Sequence, residues 1–152
     1  MDNTIEKAKK FAEERHKGQF RRDGVTPYFE HVRRVAELVS GSKIIKTMRS
    51  DGNIEGSDSF VAIAYLHDVV EDGKATYEEI KEQFGFDIYL GVKMLTHDKY
   101  ADYFNYIKDN VKGYSIDFIK HADLLDNLSD SPTEKQVKKY SKALKILLGF
   151  EE

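Results

Sequence analysis

Residues 60–72 read Phe60-Val61-Ala62-Ile63-Ala64-Tyr65-Leu66-His67-Asp68-Val69-Val70-Glu71-Asp72. The first seven are apolar throughout, which predicts a helix covered on more than one side and central to its fold. The next six bring an imidazole and three carboxylates into about two turns. If the helix continues, His67 and Glu71 share one face, as do Asp68 and Asp72. Such groups are costly to bury without partners, and a cation is the partner that suits them together. An isolated His-Asp pair is common by chance. The apolar lead-in and the trailing Glu71-Asp72 make this one informative.

Helical periodicity extends in both directions from this stretch. Ile5, Ala8, Phe11 and Ala12 recur at helix spacing, as do Tyr28, Val32, Val35 and Val39. Further on come Tyr77-Ile80-Phe84, Ile88-Val92-Leu95, Tyr100 to Val111, and Val137-Tyr140-Leu144-Leu147. Segment 115–128, SIDFIKHADLLDNL, is apolar around most of its circumference yet carries Asp123, with Asn127 one turn later. Thr76 with Glu79 and Ser131 with Glu134 are capping-box patterns, the second with Pro132 at the first helical position. Thr26-Pro27 places an N-cap before another helix-starting proline. Gly41 and Gly85 stand where helices are expected to end. Alternating strand patterns are nearly absent, so the chain is all-α, with about seven or eight helices. Residues 41–57 are expected to be a polar loop with a short apolar patch at Ile44-Ile45.

The 152 residues are the span of one domain. There is no cysteine, which excludes disulfides, thiol catalysis and zinc-thiolate sites. No apolar run is long enough for a membrane helix, and the polar N-terminal stretch carries no secretory or transit pattern. The net charge of −3 argues against a protein that grips nucleic acid by its backbone. Together these point to a soluble, cytoplasmic domain that acts on a small molecule without nucleic acid or membrane; oligomeric state is left open.

His31, early in the second helix, is by itself a core histidine. His16 is expected to cap the first helix as a cation, and His97 to be a solvated loop residue. The tyrosines are assigned to core and rim. Taken together, His31, His67, Asp68 and Asp123 offer two imidazoles and two carboxylates. That mixed nitrogen and oxygen set suits Mn²⁺, Fe²⁺ or Zn²⁺ better than Ca²⁺. Glu71 and Asp72 remain as acids able to orient and deprotonate a water.

The ordered stretches AEERHKGQFRRDGVTPYFEHVRRVAELV (12–39), AIAYLHDVVEDGKATYEEIKEQFG (62–85) and IKHADLLDNLSD (119–130) resemble the HD metal-dependent phosphohydrolases. Within them the likeness is to the RelA/SpoT-type (p)ppGpp hydrolases, in their small, single-domain form. The resemblance implies a compact HD-type helical bundle, residues 1–152, around a buried metal, with 41–57 as a loop insertion. It implies Mn²⁺-dependent removal of the 3′-pyrophosphate of ppGpp or pppGpp, giving GDP or GTP and pyrophosphate. His31, His67, Asp68 and Asp123 match the metal ligands, and Glu71 and Asp72 the catalytic acids. Arg21, Arg22 and Asn127 match residues beside the nucleotide, and Lys120 is a further candidate for its charge. Because Mn²⁺ binds weakly among the divalent candidates, purified protein is expected to accept Zn²⁺ or Fe²⁺ as well.

The chain departs from the family pattern at several places. Gly24-Val25-Thr26-Pro27 is one residue longer than the compact form, Val32 stands in place of proline, and the step from His31 to His67 is long. His121 replaces a leucine, and Asp126 replaces a histidine or tyrosine and is expected, with Asp130, near the nucleotide base. No presumed ligand is lost. Two alternatives stand beside the main one: an HD phosphohydrolase acting on an adenine alarmone or another 3′-phosphorylated nucleotide, and a non-catalytic helical module that binds nucleotide or protein.

Overall fold

The computed structural model describes residues 3–150. Among them are nine α-helices: α1 Thr4–Arg15, α2 Phe29–Ser40, α3 Lys43–Ser50, α4 Ile54–Leu66, α5 Tyr77–Phe84, α6 Phe86–Leu95, α7 Tyr103–Tyr106, α8 Asp117–Ser129 and α9 Glu134–Leu148. A π-helical turn, Ile107–Val111, continues α7. The described residues hold no strand, only an isolated bridge between Phe20 and Pro27.

The apolar stretch behaves as its composition demands. Every residue from Val61 to Leu66 is buried, and α4 packs against α1, α2, α3 and α6. Gly91 lets α6 approach closely, because a Cβ there would collide with Ile63 Cδ1. α8 crosses α2 on one side and α9 on the other, with Ile119 and Leu124 in the core. α2, the end of α4 and α8 therefore meet around one point.

The chain punctuation differs from expectation at several places. Segment 41–57 is mostly not a loop. Ser42 caps α3 through a bond from Ile45 N–H, Ile45 is fully buried, and Asn53 caps α4. Ile45, with half-buried Met48 one turn on, anchors a short helix whose remaining residues are mostly polar and exposed, Ile44 being the apolar exception. Thr26-Pro27 does not start α2. Pro27 pairs with Phe20, Thr26 bonds the Asp23 carboxylate, and the helix begins two residues later. α9 is capped by Thr133 with Gln136, two residues beyond the Ser131–Glu134 pattern. Ser131 instead takes a left-handed turn at φ 48°. Thr76 and Glu79 do form their capping box. Gly85 ends α5 at φ 89°, whereas Gly41 ends α2 at φ −83° and needs no left-handed freedom.

Candidate metal centre

α4 stops at Leu66, so His67 to Asp72 run as successive turns rather than as more helix. His67 ends the helix with its own side chain: Nδ1 donates to the Ala64 carbonyl at 2.6 Å. A carbonyl oxygen only accepts, so the proton sits on Nδ1 and the lone pair of Nε2 points away from the backbone. His31, in the first turn of α2, is held in the same sense, its Nδ1 2.7 Å from an Asp126 carboxylate oxygen. Both Nε2 atoms face the carboxylates of Asp68 and Asp123.

The four groups close into a ring. His31 Nε2 lies 3.4 Å from Asp68 Oδ2 and 3.0 Å from Asp123 Oδ1. His67 Nε2 lies 3.1 Å and 3.3 Å from the same two atoms. One donor atom from each residue falls within 4.8 Å of all the others, and all four residues are buried. Neighbouring donors at bond lengths of about 2.0–2.2 Å from one ion stand at such separations. His67 Nε2 is buried with no aligned hydrogen-bond partner among the described residues. A buried orphan aimed between two carboxylates fits a divalent cation, and the nitrogen and oxygen donors suit a first-row metal.

The electrostatics point the same way. Burial opposes charge on His31, but Asp123, Asp126 and Asp68 outweigh it and raise the group to about 9. Burial likewise opposes the carboxylates of Asp68 and Asp123. The cations beside them, His67 for the first and Lys120 for the second, hold both well below the usual carboxylate range. Without an ion, the cluster draws protons to the place where a metal charge would stand.

Further side chains surround the ring. Tyr28 Oη donates to Asp68 Oδ2 at 2.7 Å. Lys120 donates to Asp123 Oδ2 at 2.7 Å, and Asn127 Nδ2 to Asp123 Oδ1 at 3.2 Å. Glu71 is exposed as a residue, yet its carboxylate accepts the His97 backbone N–H at 2.7 Å. Lost hydration and the charge of Asp68 push it up to about 7. Burial and Asp68 also raise Asp72, which accepts from Gln19 Nε2 at 2.9 Å. Gln19 in turn accepts from buried His16. His16 stands at the C-cap of α1 as expected, but burial lowers it below its ordinary value, so it caps as a buried neutral ring and not as a cation.

Arg21 and Arg22 sit on a tight turn closed by the Phe20–Pro27 bridge. Within it the Asp23 carboxylate accepts from the N–H groups of Val25 and Thr26. Both arginines reach Asn127 Oδ1, at 3.0 and 3.3 Å, and Arg21 also pairs with Asp130 at 2.8 Å. The longer Gly24–Pro27 segment therefore does not pull Arg21 away. A cavity of about 200 Å³ opens over the ring, lined by Arg21, Arg22, Asp68, Glu71, Lys120, Asp123 and Asn127. Its other walls include Tyr28, His97, Tyr103, Lys139 and Tyr140.

Helical spacing alone assigns those last tyrosines to core and rim, because a hydroxyl leaves no mark on an apolar period. His97, expected in a solvated loop, is half-buried and packs its ring near Tyr106 and Tyr103. Asp126, expected near the nucleotide base, does not line the cavity that Asn127 lines. It lies behind His31, because residues 126 and 127 diverge by about 100° around α8.

A family model described as HD domain matches residues 8–148. The chain belongs to the HD domain family. This HD protein is 38% identical over 96 residues to the guanosine-3′,5′-bis(diphosphate) 3′-pyrophosphohydrolase MESH1 of Xenopus tropicalis, covering 62% of this chain and 48% of that one. It is 32% identical over 131 residues to the MESH1 of Drosophila melanogaster, covering 79% and 65%. The matches thus span about half to two thirds of these relatives. A solved structure described as a metazoan ortholog of SpoT that hydrolyzes ppGpp superposes with a TM-score of 0.74. The identity is 27%, over 99% of this HD protein and 86% of that chain.

Metal binding at this ring should also be visible as stability. Adding Mn²⁺ to chelator-treated protein at about a hundred times its dissociation constant is expected to contribute about 2.7 kcal/mol. For a chain of this size, that raises the unfolding midpoint by about 5–10 °C. Differential scanning calorimetry checks it, and an unchanged midpoint would count against an ion at the ring.

Proposed function

We propose that this protein is a divalent-metal-dependent phosphohydrolase that removes the 3′-pyrophosphate from ppGpp or pppGpp. The expected products are GDP or GTP and pyrophosphate, and Mn²⁺ is the working ion. The observation that carries this reading is the ring of His31, His67, Asp68 and Asp123 beneath a cavity walled by both acids and cations. The likeness to MESH1 and to the SpoT ortholog supports the choice of substrate. Residues 1–152 would act as a single HD-type domain in the cytoplasm, on a small nucleotide, without nucleic acid or membrane as partner. No helix of the described residues is long and apolar enough to cross a membrane.

In this proposal the four ring residues hold the metal. When bound, the ion supplies Lewis acidity to a phosphoryl oxygen and to the attacking water. Glu71 takes the proton of that water, and Asp72, held by Gln19, orients it. The water oxygen bonds to the phosphorus on the ribose 3′-oxygen, the bond to that oxygen breaks, and the ribose leaves as its 3′-hydroxyl when the proton taken up by Glu71 is returned to it. Arg21 and Arg22, with Lys120, offset the charge of the pyrophosphate. Asn127 bonds the two arginines on one side and Asp123 on the other, an arrangement that would tie the proposed anion contacts to the proposed metal ligands.

The test is a Mn²⁺-supplemented panel of ppGpp, pppGpp, ppApp and ordinary nucleoside di- and triphosphates, scored for pyrophosphate against orthophosphate. Pyrophosphate from the two guanosine alarmones, and little from the ordinary nucleotides, is expected. Turnover of ppApp alone would move the substrate to adenine. Absence of turnover across the panel would leave a binding module.

A further inference from the structure

Asp126 is buried, 4% exposed, and does not line the cavity over the metal ring. One carboxylate oxygen receives His31 Nδ1 at 2.7 Å. Both oxygens are also engaged by Arg34, whose Nε donates to Oδ1 at 2.8 Å and Nη2 to Oδ2 at 3.1 Å. His31 and Arg34 are one turn apart on α2, and Asp126 comes from α8, so the carboxylate is clamped between two groups of one helix. Arg34 also reaches Asp130, which pairs with Arg21.

We infer that Asp126 is the positioning residue of the metal centre: it fixes the tautomer and angle of His31 and makes its Nε2 a stronger donor to a divalent metal. An ionised carboxylate only accepts, so it selects the Nδ1–H form and leaves the Nε2 lone pair for the ring. It also pushes electron density into the imidazole, and such supporting partners set metal affinity by about 10–100-fold. His67 has only a neutral carbonyl behind it, so the two histidines are unequal ligands and His31 is the stronger. Arg34 has a separate part: it holds the carboxylate in place and shares its charge.

This inference rests on the metal-ring reading, and its experiment separates the two. Mn²⁺ dissociation constants are measured by calorimetric titration on the intact protein for wild type, Asp126→Ala, Asp126→Asn and Arg34→Met, with circular dichroism to check folding. Wild type is expected to bind one ion. Asp126→Ala should weaken binding about 10–100-fold. Asp126→Asn, which can still accept from His31 but carries no charge, should lose less. Arg34→Met should keep wild-type affinity or tighten it, since Asp126 then gives its charge to His31 alone. In ¹⁵N-edited spectra the hydrogen-bonded His31 Nδ1–H resonance should vanish in Asp126→Ala and persist in Arg34→Met.

A wild type that binds no divalent ion overturns the ring itself. A wild type that binds, beside an Asp126→Ala within twofold of it, overturns only the positioning role. Equal loss in Arg34→Met and Asp126→Ala also overturns it, by assigning Asp126 to the salt bridge. If Asp126→Ala does not fold, unchanged affinity in Asp126→Asn overturns the positioning role in its place.

Discussion

Asp68→Ala is expected to abolish metal binding and nucleotide turnover together. Asp68 Oδ2 is the crossing point of the ring. It stands 3.4 Å from His31 Nε2 and 3.1 Å from His67 Nε2, and it accepts the Tyr28 hydroxyl at 2.7 Å. Removing it takes away one of four donors and one of two ligand charges. The loss of affinity should exceed the 10–100-fold typical of a residue that only supports a ligand, so about a hundredfold or more. Asp68→Asn is the control for shape, since it keeps an acceptor for Tyr28 and loses only the charge. It is expected to fail almost as badly, because a neutral amide cannot offset a dication in a buried site. Metal content after dialysis against Mn²⁺, measured beside pyrophosphate release, checks both variants. A fully active Asp68→Ala would remove the metal assignment, and with it the hydrolytic mechanism.

What made Asp68 legible is the conflict between its neighbours and its charge. An apolar run ending in His-Asp-x-x-Glu-Asp cannot be buried cheaply, and the structure resolves that conflict by converging four groups from α2, the end of α4 and α8. The all-α architecture was legible for a similar reason: burial imposes a period of 3.6 on every helix with an apolar face. Helix boundaries were less so. Several residues can serve as a cap, so Thr133 takes the place of Ser131 and the helix at Thr26-Pro27 starts late. α3 was hidden because it is only eight residues long and its apolar residues, Ile44, Ile45 and Met48, are too few to stand out in a stretch that otherwise reads as polar.

The supporting side chains were the least legible part of the site. Tyr28, Gln19, Arg34 and Asp126 act through hydrogen bonds across 40 to 95 positions of sequence, and no local spacing encodes such contacts. Asp126 is the clearest case. Its neighbour Asn127 faces the cavity, and one step along a helix turns a side chain by about 100°, enough to move it from the cavity side to the back of His31.

Glu71→Gln is expected to keep the metal and lose about two to four orders of magnitude in kcat. Glu71 is not one of the four ring residues, so its removal leaves the ion's donors intact. Glutamine has the same shape and can still accept the His97 N–H that holds the carboxylate at the cavity wall. It cannot take a proton from water. The pH profile supplies a second readout with a definite sign. Lost hydration and Asp68 push Glu71 up to about 7, and the base works only when ionised, so the rate should rise with pH through its titration and then level. A bound dication stabilises the carboxylate and moves that rise to lower pH without reversing its direction. In Glu71→Gln the residual rate should lack the rise attributed to this group. Metal content equal to wild type with kcat reduced identifies Glu71 as the base. Unchanged kcat would pass that role to Asp72, the other raised acid beside the ring, which Gln19 already holds in place.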